Sequence, residues 1–284
     1  MAFQAKTSGP VAYLERPGAG MPLVALHGIG SNATGFAGLL PHLPEAWRVI
    51  AWDAPGYGAS QPLAAEWPVA ADYAAALAGL LDRLGVGRAV LLGHSLGTLM
   101  AAAFARRHPE RVAALVLASC ALGHGVSPGA ALSEGAKARI DELQALGPAA
   151  FAAKRAPRLV HDADAHPELV AQVAGNMAQV RMPGYGQAAR MLASGRLLED
   201  LAALAVPASV IVGVGDLVTP PAANRRAHQA IPARIRGPLI ELPGAGHAIH
   251  QQDPAAFARA LATCLDQTPP AAAPAQAASQ GMTG

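Results

Sequence analysis

The pentapeptide Gly93-His94-Ser95-Leu96-Gly97 reads G-x-S-x-G and follows an apolar run at residues 89–92. A serine on a sharp strand-to-helix turn exposes its Oγ above a sheet, and glycines two residues to either side remove Cβ atoms that would collide there. A serine hydroxyl is a weak nucleophile at neutral pH. It needs a base, and the base needs a carboxylate to orient it. In this strand-turn-helix setting the order along the chain is serine, acid, histidine. Asp216 in GVGDLVTPP and His247 in LPGAGHAIH supply that order. Each lies just past an apolar run, where open parallel sheets place their sites.

The chemistry implied is attack of Ser95 on a carbonyl, with His247 taking its proton and Asp216 fixing the imidazole. The N–H of Leu96, opening a helix, points to where an oxyanion forms, and His27-Gly28-Ile29-Gly30 after another apolar run offers a second N–H from Ile29. His250 is the nearest rival for the base, but it is expected inside the following turn, farther from the sheet edge. The other strand end open to an acid carries Ser119 and Cys120, with no carboxylate. His247 and His250 as a metal pair lack a third ligand at useful spacing, and the set calls for neither a metal nor an organic cofactor.

One segment supports a competing chemistry. Gly28-Ile29-Gly30-Ser31-Asn32-Ala33 fits G-x-G-x-x-G/A, and Asp53 ends the next apolar run, where a ribose-binding acid would lie. A dinucleotide reading leaves Ser95, Asp216 and His247 without roles, and the Tyr-x-x-x-Lys pair of many small dehydrogenases is missing.

The elements that must hold these residues follow from the hydrophobic pattern. Strands are expected at residues 11–14, 23–26, 48–52, 89–92, 112–118, 209–214 and 239–242, alternating with helices at 34–40, 72–84, 97–108, 221–230 and 254–265. That is the rhythm of a mostly parallel sheet with helices on both faces. Between 122 and 198 it breaks: no strand-like run occurs, and helices are expected at 139–146, 167–180 and 186–198. The expected division is a core at 1–121 and 199–267, a helical cap at 122–198, and a low-complexity, disordered tail at 268–284.

Composition narrows the function classes. The 284 residues are 52% hydrophobic and 14% charged, which excludes disorder across the chain. Twenty-one basic residues against 19 acidic ones, with no basic block, leave no footprint for nucleic acid. Two distant cysteines, Cys120 and Cys264, make no disulfide scaffold. Neither a signal peptide nor an uninterrupted apolar span is evident, so a cytoplasmic protein without a membrane segment is expected, with a homo-oligomer left open.

The segments LVALHGIG, RVIAWDAPGYGAS, VLLGHSLGTLMAAAFARRHPERVAALVLAS, VPASVIVGVGDLVTPP and LPGAGHAIHQQDPAAF resemble the α/β-hydrolase superfamily over about residues 10–266. The nearest flavour is that of capped, cofactor-free serine hydrolases such as 3-oxoadipate enol-lactonases, with meta-cleavage-product C–C hydrolases close by. The cap's closing segment GYGQAARMLASGRLLEDLAAL carries the tilt towards the lactonases. Dehalogenases and epoxide hydrolases of this fold place Asp where this chain has Ser95. H-G-I-G in place of H-G-G-G makes bulky branched esters less expected. Asp53, Gly56, Gly58 and Ser60 match the superfamily's D-x-x-G-x-G-x-S loop and are read as scaffold.

The resemblance implies acyl transfer on a small ester or lactone, through Ser95, His247 and Asp216, with Ile29 and Leu96 as oxyanion donors and His27, Gly28, Gly93 and Gly97 in support. C–C hydrolysis of a vinylogous diketone is the alternative with the same residues. A non-catalytic ligand-binding protein is the alternative from another class. Arg139, Arg155, Arg158, Arg181 and Arg190 in the cap could grip a substrate carboxylate, though a solvated helix face accounts for most of them.

Overall fold

A computed structural model describes residues 2–267, and the expected tail at 268–284 lies outside them. Eight strands form one sheet in the order β1-β2-β4-β3-β5-β6-β7-β8. They are β1 (Gln4–Ser8), β2 (Val11–Arg16), β3 (Leu23–Leu26), β4 (Val49–Trp52), β5 (Ala89–His94), β6 (Val112–Ala118), β7 (Ala208–Gly213) and β8 (Arg236–Leu242). From β4 across to β8 every pairing is parallel, while β1 and β2 add an antiparallel edge. All residues of β3, β4, β5 and β7 are buried, because helices cover both faces.

One face carries α1 (Ala70–Arg83), α2 (Leu96–Arg107) and α7 (Pro221–Ala230), which bury Leu77, Leu99 and Ala227 against the sheet. The other carries a 3-10 helix (Ala33–His42) and α9 (Pro254–Gln267), with Phe36, Phe257 and Leu261 in a second core layer. The short α8 (Ile249–Gln252) follows the β8 loop. The segment expected as helix at 34–40 takes the tighter 3-10 form, with Pro41 inside it and Asn32 capping Thr34.

Between β6 and β7 the described residues hold helices and turns but no strand: α3 (Glu134–Arg155), α4 (Pro167–Met177), α5 (Gly184–Ser194) and α6 (Leu197–Ala202). Two expectations change here. The helix expected at 139–146 extends over 22 residues and bends where Gly147 takes φ 72° before Pro148. The single helix expected at 186–198 divides at Gly195, whose missing Cβ leaves room for the side chain of Leu99. Strand β1 escaped the sequence reading because QAKTS is polar and mostly exposed. It forms as the first arm of a hairpin turned by Gly9 at φ 58°.

The inserted helical region is tied to the core by amides. Asn32 Nδ2 donates to the Asn176 carbonyl at 3.3 Å and to Gln179 Oε1 at 3.2 Å. Thr34 Oγ1 donates to Asn176 Oδ1 at 3.0 Å, and Asn176 Nδ2 to Gln251 Oε1 at 3.2 Å.

Candidate active site

Ser95 occupies the turn between β5 and α2 with φ 52° and ψ −115°, a left-handed conformation that L-residues avoid. Its N–H donates to the Ala118 carbonyl on β6 at 2.9 Å, which pins the strained peptide to the sheet. The flanking glycines are sterically required. A Cβ on Gly97 would stand 2.1 Å from the Leu26 carbonyl oxygen, and one on Gly93 2.7 Å from the Gly97 oxygen.

Asp216 and His247 come from the loops after β7 and β8, which are joined by the Gly215 N–H donating to the Ala245 carbonyl at 2.9 Å. The imidazole bridges the other two side chains. His247 Nε2 lies 3.0 Å from Ser95 Oγ, and Nδ1 lies 2.9 Å from Asp216 Oδ2 and 3.2 Å from Oδ1. All three residues are buried. Asp216 also accepts from the N–H groups of Val218 and Thr219, both at 2.8 Å, and from Thr219 Oγ1 at 2.8 Å. Burial alone would raise its pKa. The bond and charge of His247, with the Thr219 donors, outweigh burial and hold the carboxyl below its ordinary value.

Ile29 and Leu96 line the cavity beside Ser95. Neither backbone N–H meets an acceptor among the described residues, whereas the Ile29 carbonyl is fixed by the Tyr57 hydroxyl at 2.8 Å. His27 braces this loop. Its Nδ1 donates to the Gly28 carbonyl at 2.8 Å and its Nε2 accepts from the Ala54 N–H at 3.0 Å. Burial pushes its pKa down, so the ring is neutral, as these two bonds demand. Asp53 turns inward: its Oδ1 accepts from the Ala33 N–H at 2.9 Å, and its carbonyl from Ser60 Oγ at 2.6 Å. Met177 of the inserted region covers Gly30, with Cε 2.7 Å from where a Cβ would stand. Neither feature suits a dinucleotide.

This geometry accompanies a family match. A model described as the alpha/beta hydrolase fold covers residues 21–254. The chain belongs to the α/β-hydrolase family. An uncharacterized protein of Mycobacterium tuberculosis is 32% identical over 278 residues, spanning 89% of this chain and 78% of that one. A 2-hydroxy-6-oxononadienedioate/2-hydroxy-6-oxononatrienedioate hydrolase of Burkholderia vietnamiensis is 44% identical over 99 residues, 34% of each chain. The structure of a malate-bound thermophilic esterase from Thermogutta terrifontis superposes with a TM-score of 0.79 at 27% identity, over 94% of this chain and 98% of that one.

In this α/β-hydrolase the cavity over Ser95 has a volume of about 390 Å³ and is roofed by the inserted region. Of the five arginines singled out in the sequence, Arg139, Arg155 and Arg158 line it, and Arg181 and Arg190 do not. Arg155 is paired with Glu142, and Arg190 faces Glu66 at 3.5 Å outside the cavity. Cys120 lines the floor, its N–H held by Asn224 Oδ1 at 2.7 Å, and burial raises its thiol pKa far from reactivity. His250 does not reach Ser95. It is buried beyond His94, stacked on Phe36 at 4.7 Å between ring centroids. Thr219, Asn176 and Gln251 were not singled out, because isolated Thr, Asn and Gln carry no spacing signal. Among the described residues no group of three His, Cys, Asp or Glu side chains could hold a metal, and no helix is long and apolar enough to cross a membrane.

Proposed function

We propose that this α/β-hydrolase cleaves a small carboxylic ester or lactone through an acyl-enzyme on Ser95. The observation that carries this reading is the continuous hydrogen-bonded line Ser95 Oγ, His247, Asp216 at the floor of one cavity. His247 Nε2 accepts the Ser95 proton as Oγ attacks the carbonyl. Asp216, acceptor-only when ionised, keeps the other imidazole proton on Nδ1 and balances the imidazolium. The developing oxyanion is met by the N–H groups of Ile29 and Leu96, each such donor being worth about 10²–10³ in turnover. His247 then passes the proton to the leaving oxygen and draws one from the water that clears the acyl-enzyme.

The cavity wall argues further for a substrate bearing a carboxylate. Three arginines line it and no Asp or Glu does, and Arg139 has no ion-pair partner among the described residues. Its guanidinium lies against the Tyr185 hydroxyl, leaving donors for a bound anion. The division into core and helical cap, with the cap choosing the substrate, belongs to the same proposal.

The test is hydrolysis of p-nitrophenyl acetate, butyrate and octanoate by the wild type beside Ser95→Ala. Loss of at least about 10³-fold in the variant is expected. Wild-type turnover of none of these esters would contradict the general ester reading. The local likeness to the Burkholderia hydrolase gives a second reading, C–C cleavage by the same residues. Turnover of a 2-hydroxy-6-oxo-dienoate without ester turnover would select it.

A further inference from the structure

The loop that carries His247 has one anchor that the reaction scheme does not use. His94, the last residue of β5, is buried beside Ser95, and its Nε2 lies 2.8 Å from the backbone carbonyl oxygen of His247. A carbonyl only accepts, so Nε2 carries the proton and donates it. The same ring reaches the oxyanion loop: a Cβ on Gly28 would stand 3.2 Å from His94 Nδ1 and 3.0 Å from Ser95 Cβ. His94 thus sits where the serine turn, the Gly28 loop and the base loop meet.

We infer that His94 is a positioning residue: its Nε2–H, held by the carbonyl of His247, sets the height of the base peptide and so the Nε2-to-Oγ approach of His247 to Ser95. This rests on the roles proposed above for Ser95 and His247. The neighbouring peptides of the loop are anchored otherwise. Ala245 is held through its carbonyl, Gly246 through its N–H on Gln252 Oε1 at 2.9 Å, and Ala248 through its N–H on the Leu159 carbonyl at 2.8 Å. The His247 carbonyl has no other donor among the described residues, so removing the His94 donor frees the one peptide whose position matters most. Displacement of a reacting group by about 1 Å costs on the order of 10²-fold in rate.

The ring is suited to this task by being neutral. Burial, then the neighbouring His250 and His247, push its pKa well below the ordinary histidine value. Its centroid is 5.0 Å from that of His247, so a second cation there would oppose the imidazolium formed in each turnover.

The test contrasts two amides. His94→Gln places an amide N–H near the position of Nε2, while His94→Asn places it near Nδ1 and leaves the His247 carbonyl without a donor. His94→Asn is expected to lower kcat by about 10- to 100-fold with KM within about threefold, and His94→Gln to recover to within about threefold of the wild type. A packing role would give no such contrast. His94→Asn at wild-type kcat, or His94→Gln as damaged as His94→Asn, would overturn the inference. A second measurement needs neither turnover nor a variant. Nitrogen-15 NMR of the histidines in the wild-type protein should show His94 as the Nε2–H tautomer, and the Nδ1–H tautomer would overturn the assignment. If no substrate is turned over, the proposed function fails while the tautomer still decides the role of His94.

Discussion

At the scale of single residues, the proposed reaction rests on one proton being on the correct nitrogen. His247 can accept from Ser95 through Nε2 only if Nδ1 carries the ring proton, and Asp216 Oδ2 at 2.9 Å enforces that. Asp216→Asn would change this at constant size. Asp216 Oδ1 already accepts two N–H groups, so the amide oxygen takes that side and the NH₂ faces His247. The imidazole must then accept through Nδ1 and present Nε2–H to the serine. A fall of about 10⁴-fold in kcat is expected, with unchanged far-UV circular dichroism. Activity within tenfold of the wild type would mean that Asp216 is not the orienting carboxylate. The strained φ of 52° at Ser95 belongs to this scale as well, since it is what lifts Oγ to meet the imidazole.

At the scale of elements, strand ends deliver the three side chains and the inserted region roofs the cavity above them. If Arg139 on α3 receives a substrate carboxylate, Arg139→Gln should cut kcat/KM for a p-nitrophenyl ester with a terminal carboxylate by about tenfold or more, as expected for a lost charge-assisted bond. The neutral ester of equal length should change by less than about threefold. Equal losses on both esters would remove the anionic preference and leave the serine mechanism standing. The strands and helices that place the site were legible because buried parallel strands read as short apolar runs ended by Gly, Pro or Asp. Ser95, Asp216 and His247 were legible for a related reason, as polar residues immediately after such runs. The inserted region was legible as helical, but the bounds of its helices were not. The break at Gly195 depends on close approach to Leu99 and Gly123, and α3 runs on as helix past the bend at Gly147. Nor could spacing tell Arg139, which lines the cavity, from Arg190, which turns away to Glu66. Hairpin strand β1 was hidden because an edge strand needs a partner more than it needs hydrophobicity.

At the scale of the whole molecule, the buried histidines set the response to acid. Burial, and after it the charge of His247, pushes the pKa of His250 down to about 3, and His94 and His27 are also lowered by burial. An unfolded histidine titrates near 6.5, so between about 6.5 and 3 the unfolded chain holds protons that the fold refuses. The stability present above pH 6.5 is therefore lost as pH falls through that window. His250 has no hydrogen-bond partner on either ring nitrogen among the described residues and packs against Phe36 and Phe257. His250→Phe should remove its share of the acid sensitivity. Between pH 7.5 and 5, urea unfolding of the variant should lose about 2 kcal/mol less than that of the wild type. Identical losses in both proteins would place the acid sensitivity elsewhere.

Activation of Ser95 as a nucleophile by His247 is open to covalent capture. The protein is treated with a small fluorophosphonate, and intact and peptide masses are recorded for the wild type, Ser95→Ala and His247→Ala. One adduct per chain is expected in the wild type, on the peptide containing Ser95. None is expected in Ser95→Ala, and labelling slowed by at least about 10³-fold in His247→Ala. An unlabelled wild type, an adduct on another residue, or equal labelling of His247→Ala would contradict this activation.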